Sequence, residues 1–367
     1  MRKKLAFVVL AAVSAAFFAC GSKPDAGPAL WPGPSFPLVE ESRVEFDGIL
    51  LGGPRALGGD VVLSLASGRV LAVGAAPKKV LWQFSAKGGL SVPSLPGPDF
   101  VIVIDREGRM TRLARDGGVA WEKAVAGTVS APPVLAAGAV LAVFDRRTVR
   151  AFDPATGAER WSWLSDADIL TSARAWEDKA VLLTAAKKAV LLSPDGKPGP
   201  GFETADAASG PVLVSGDRLF AGFGNGTVQC WDLAARKRRW TVKTGALLAA
   251  DPASGGTRIY AVTEGRQLFA VEKRSGNVAW WASLPGRAVG EAAPCGPRLL
   301  VPSLSPVLTA FDPATGKKAE TVDLKLEIIA APLVLADRVA VVGRDPSASK
   351  GAVIFLKSRP APPEKKT

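Results

Sequence analysis

The chain has 367 residues, 48% of them apolar, with 38 glycines and 29 prolines, a composition that suits a globular protein rich in tight turns and excludes a disordered or polytopic membrane chain. Forty-six Lys and Arg against 34 Asp and Glu give a net charge of +12, which favours anionic partners such as lipid headgroups, lipopolysaccharide or an acidic protein face. Histidine is absent, which removes the commonest general base, the Ser-His and Cys-His nucleophile pairs and the usual zinc sites.

Met1 to Lys4 form a positive n-region, and Leu5 to Phe18 form an apolar stretch long enough for a signal-peptide core and too short to span a bilayer. The stretch ends in Phe17-Phe18-Ala19-Cys20-Gly21, which resembles the bacterial lipobox, in which the cysteine is diacylated and becomes residue one after cleavage. Phe17 stands where leucine is usual, and Phe18 is bulkier than usual. This reading makes residues 1–19 a lipoprotein signal peptide and Cys20 the lipidation site, a membrane anchor with about 0.8 kcal/mol per buried methylene. Gly21-Ser22 lacks the Asp that marks inner-membrane retention in enterobacterial lipoproteins, so the expected location is the outer membrane, facing the periplasm. Residues 20–41 read as a Pro- and Gly-rich tether and residues 358–367 as a disordered tail.

Between them the chain repeats. An aromatic anchor recurs at Trp82, Trp121, Trp161, Phe202, Trp240 and Trp280, with Glu320 at the seventh place, in steps of 38 to 41 residues. The unit is clearest in TVRAFDPATGAERW (148–161), where an alternating strand leads to a tight turn at Asp153 to Gly157 and a second strand begins at the anchor. Small or proline residues such as Pro93, Pro132, Pro211, Pro252, Pro294 and Pro332 follow most anchors, and apolar runs such as FVIVI at 100 and AVLAVF at 139 come next. Four short antiparallel strands per unit predict a β-propeller blade, which cannot bury both faces until neighbours pack around an axis.

Residues 42–357 are therefore expected to form an all-β, eight-bladed propeller, with seven blades as the alternative count. Seven anchors mark seven blades. The eighth has only three strands of its own, in the span 331–356, and SRVEFDGIL (42–50) is expected to close the ring as its fourth strand.

The pattern A-x-D-x-x-T-G-x-x-x-W at 151–161 resembles the tryptophan-docking repeat of the pyrroloquinoline-quinone (PQQ) alcohol dehydrogenases and their non-enzymatic relatives. Asp153, Thr156, Gly157 and Trp161 match the whole motif. Glu272, Ser275, Gly276 and Trp280 match with conservative changes, and Asp312, Thr315 and Gly316 match the turn without the aromatic. The resemblance implies that each anchor, Trp82, Trp121 and Trp240 included, packs onto the glycine turn of a neighbouring blade. A lipobox, a short tether and a single propeller also resemble the BamB family of outer-membrane assembly lipoproteins. That likeness implies a non-enzymatic scaffold, monomeric within a larger complex, whose partner is the periplasmic domain of a barrel-assembly protein.

The enzymes of the superfamily imply adjacent cysteines and often a C-x-x-C-H haem motif. Here Cys230 and Cys295 are 65 residues apart and no such motif occurs, so neither catalytic residues nor a cofactor nor a metal is expected. Both thiols read as small buried strand residues. Lys237 to Arg239 form the sharpest basic cluster and read as a charged outer-edge strand, and an exported chain is not expected to bind nucleic acid. The alternative function is a ligand-binding or sensing propeller with no assembly role.

Overall fold

The computed structural model describes residues 31–347 and 350–359. The expected signal peptide, Cys20 and most of the expected tail lie outside the described residues. Every regular element described is a strand, and among the described residues no helix is long and apolar enough to cross a membrane.

Eight antiparallel sheets surround one axis. Seven are continuous in sequence and span residues 55–85, 95–124, 129–164, 174–203, 208–243, 253–283 and 293–323, here blades 1 to 7. Within a blade the position of a strand dictates its composition. Second strands are covered by blades on both sides, so they are largely apolar, as in Phe100–Ile104 and Ala139–Phe144, where every residue is buried. Fourth strands form the rim and alternate exposed with half-buried residues, as in Lys79–Ser85. First strands converge on the axis, where space is least, and are short in most blades, as in Arg55–Leu57 and Ala253–Gly255.

Blade 8 settles the count at eight. Glu327–Ile328 and Leu333–Val334 both pair with Arg338–Arg344, which pairs with Lys350–Ser358. The N-terminal strand Leu38–Asp47 then adds to Lys350–Ser358 in antiparallel register, so the two ends of the fold share one sheet. The ring is closed by the N-terminal strand, as the repeat count requires.

The described N-terminal residues depart from the expected tether. The closing strand starts at Leu38, ahead of residue 42, because Leu38 is buried and pairs with Ser358. Residues 31–37 lie against blades 6 to 8: the Trp31 N–H donates to the Gly296 carbonyl at 3.0 Å, and the indole meets Tyr260 edge-on at 6.0 Å. The Arg359 N–H donates to the Pro37 carbonyl at 2.9 Å, tying both ends together. Aromatic burial accounts for this, since Trp31 packs against the core cluster shared by blades 6 and 7.

The core lies between blades rather than within them. Ile102 and Ile104 of blade 2 meet Val140, Ala142 and Phe144 of blade 3, all essentially buried, at about 1.5–3 kcal/mol for each large side chain.

Candidate functional site: blade joints, channel and loop face

Four anchors make one recurring joint. The indole N–H groups of Trp82, Trp161, Trp240 and Trp280 donate to the carbonyls of Arg115, Pro194, Lys273 and Pro313 at 2.7–2.9 Å, each acceptor 33 residues further on. Their rings lie on Gly117, Gly196, Gly276 and Gly316 of the next blade. At Gly196 a Cβ would sit 2.5 Å from the Trp161 ring and φ is +81°, so both space and backbone demand glycine. Trp121 covers Gly157 with the edge of its six-membered ring, and its buried N–H has no acceptor among the described residues.

Asp153 builds the turn that receives Trp121. Its Oδ1 accepts the N–H groups of Ala155 and Thr156 and the Thr156 hydroxyl at 2.8–3.1 Å, and Oδ2 takes Arg160 at 2.7 Å. The Arg160 hydrogen bond, followed by the Thr156 N–H, holds the Asp153 carboxyl well below the usual range.

Three joints differ. Between blades 4 and 5, Phe202 stacks on Trp231 at 4.8 Å, and Arg236, at φ +53°, stands where the other turns have glycine. At the joint between blades 7 and 8 the anchor place holds Glu320, which faces Arg298 of its own blade at 3.5 Å. Blade 8 has no continuous turn between its third and fourth strands, because Ser358 and Leu38 are where the fold's two ends meet, so position 320 has no glycine turn to cover. Between blades 8 and 1, Ser42 beside the bulge takes the register place of the anchor.

Cys230 and Cys295 lie buried in blades 5 and 7, and burial pushes both thiols up to about 12, which leaves them protonated and poor nucleophiles. Lys237 and Arg238 are exposed on the rim, while Arg239 is held by Asp232 at 2.6 Å. Trp176 and Trp231 are buried between blades, whereas Trp281 is 59% exposed.

The sequence reading missed the channel. Arg55 and Arg174 open the first strands of blades 1 and 4, and Asp251 and Glu291 stand two residues ahead of the first strands of blades 6 and 7. All four line one axial cavity of about 720 Å³. Arg174 binds Asp251, and blade 5 completes the bridge: Arg174 Nε donates to the Val212 carbonyl at 3.1 Å, while the Val212 N–H donates to Asp251 Oδ1 at 2.7 Å. Enclosure raises the Glu291 pKa, with Asp251 adding to it, and enclosure likewise lowers that of Arg55, with Glu291 opposing. Glu291 is nonetheless exposed, so the cavity is open to solvent on its side. The signal lay in charged residues placed at matching blade positions among Gly, Ala, Ser and Pro, legible only once the strands are in register.

A second depression lies on the face that carries the blade-to-blade loops. About 510 Å³ in volume, it has Phe46, Leu50, Leu304 and Ile329 among its lining, with Ile49, 74% exposed, at its edge. Arg287, Arg344 and Lys350 supply positive charge. Arg344 faces Glu327 at 3.6 Å and Lys350 faces Glu45 at 3.5 Å, while Arg287 has no carboxylate partner among the described residues.

Known proteins bear on this geometry. The family profile described as outer membrane protein assembly factor BamB matches residues 66–246 and 195–290, more than half of the chain. Outer membrane protein assembly factor BamB of Shewanella oneidensis is 25% identical over 66% of this chain and 65% of its own length, and that of Burkholderia pseudomallei is 26% identical over 97% and 88%. The BamB of Moranella endobia is 26% identical over 46% of this chain and 48% of its own length, so the match spans about half of that relative. Among solved structures, BamB from Moraxella catarrhalis superposes with a TM-score of 0.71 at 16% identity, covering 87% of this chain and 99% of that one. Quinohemoprotein alcohol dehydrogenase from Comamonas testosteroni gives 0.69 at 13% identity, covering 90% and 78%. At such identities the structural likenesses speak for the fold.

Proposed function

From the premise that this chain belongs to the BamB family, we propose that it is a non-enzymatic scaffold that assists the assembly and insertion of outer-membrane β-barrel proteins. Its contacts run through the loop face to the periplasmic domain of a barrel-assembly protein, and acylated Cys20 keeps the propeller at the outer membrane. The observation that carries this reading is the loop-face depression, where exposed Ile49 and Leu304 adjoin Arg287 without a carboxylate partner. An exposed apolar surface whose lining carries Arg287, Arg344 and Lys350 against Asp47, a surplus of positive charge, suits an acidic, partly apolar protein surface, with charge steering the encounter and apolar burial slowing release. Binding energy then comes from surface rather than from bond-making chemistry.

Affinity capture of the full-length chain from detergent-solubilised membranes, beside a Cys20→Ala form, tests the proposal. Co-purification of the barrel-forming subunit that drops in the unanchored form is the expected result. Repeated absence of that subunit would count against the role.

A further inference from the structure

The two Arg–acid pairs of the channel are unlike, and the backbone explains why. Every first strand runs in the same direction around the axis. In blade 5 this turns the Val212 carbonyl toward Arg174 of blade 4 and its N–H toward Asp251 of blade 6, so one peptide group bridges the pair. Arg55 of blade 1 and Glu291 of blade 7 flank blade 8 in the opposite order. The place of Val212, one step ahead of the Leu213–Phe220 pair, is taken in blade 8 by Pro332, one step ahead of the Leu333–Ala340 pair. Its carbonyl is turned to the acid, and proline has no N–H. Neither Arg55 nor Glu291 makes a side-chain hydrogen bond or a close ion pair among the described residues, although both line the same cavity.

We infer that the channel mouth between blades 7 and 1 is a binding site for a small zwitterion carrying a carboxylate and an ammonium group, such as a short peptide. Arg55 receives the carboxylate through its guanidinium fork, and Glu291 accepts the ammonium. The four channel charges sum to zero, so a lone anion would meet Asp251 and Glu291 and a lone cation would meet both arginines. A molecule bearing both charges satisfies the open pair without disturbing the bridged one. Gly53, Gly290, Ala330 and Ala331 leave the walls free of bulky side chains, and the volume of about 720 Å³ accommodates a dipeptide. This inference does not rest on the scaffold role.

Isothermal titration of the folded chain with glycylglycine tests it, with N-acetyl-glycylglycine (no ammonium) and glycylglycine amide (no carboxylate) as controls. Saturable binding of glycylglycine is expected, at least ten-fold weaker for each capped form and for R55Q and E291Q. Absence of saturable binding to the wild type, equal binding of a capped form, or wild-type affinity in either variant overturns the inference. Should R55Q or E291Q lose its cooperative melt, the ranking of glycylglycine against its two capped forms on the wild type decides under the same ten-fold criterion.

Discussion

The joint between blades 3 and 4 and the seam around blade 8 solve the same packing problem by different means. At the first, Trp161 reaches over Gly196 and bonds the Pro194 carbonyl, so a local motif fastens neighbours that the chain already connects. At the seam neither Glu320 nor Ser42 offers an aromatic anchor, and closure falls to the pairing of Leu38–Asp47 with Lys350–Ser358. Glu41 adds ion pairs to Arg338 at 3.4 Å and Lys357 at 3.1 Å, and Val44 and Phe46 join a core cluster with Val61 and Leu63 of blade 1. The ring thus uses side-chain docking where the receiving blade has a glycine turn and backbone pairing where the two chain ends meet. A docking tryptophan needs a turn to cover, and the place where both ends meet has none.

The sharpest way to break this comparison is to delete residues 38–47. Blade 8 then exposes the edge of Lys350–Ser358, and the cooperative thermal transition should disappear, forfeiting a folding free energy on the order of 5–15 kcal/mol, with aggregation visible by size-exclusion chromatography. Next in size, Trp161→Ala should cost about 3 kcal/mol in denaturant unfolding, through lost packing and the unfilled space over Gly196. Gly196→Ala approaches the same joint from the other side and should cost on the order of 1–3 kcal/mol, because φ is +81° and the new Cβ meets the indole. Glu320→Trp sharpens the contrast: with no turn to cover, it should change stability by about 1 kcal/mol or less, the scale of losing the half-buried pair with Arg298. A gain comparable to the Trp161 loss would show that the seam can dock an aromatic after all.

The smallest effect concerns Asp153. Its folded pKa is depressed, chiefly by the Arg160 hydrogen bond, so its contribution is complete above the unfolded Asp value of about 3.9 and is lost as pH falls through the lower folded value. Asp153→Asn should therefore flatten the acid limb of the stability profile below about pH 4 and leave its slope at neutral pH unchanged, as read from melts across pH.

The ring and its closing strand were legible because tryptophan at near-constant spacing and alternating apolar runs are local signals. The docking turns were legible for the same reason, since Asp153, Thr156 and Gly157 stand within five residues and bond one another. The channel was not. Arg174 and Asp251 are separated by 77 residues and meet only because blades 4 and 6 flank blade 5. The contact of Trp31 with Tyr260 was hidden by its Pro- and Gly-rich neighbours, which read as tether although the tryptophan packs on the ring. Phe202 looked like one more anchor, yet it meets Trp231 rather than glycine, because blade 5 carries Arg236 in its turn.

The scaffold role is tested most directly by placing a photo-crosslinking amino acid at Ile49, on the loop face, and at Leu135, near the opposite turns of blade 3, in the full-length chain within its native membrane. The account predicts a crosslink from position 49 to the periplasmic part of the barrel-forming protein and none from position 135. Crosslinks from position 135 alone, or none from either while the chain remains membrane-bound, would contradict it.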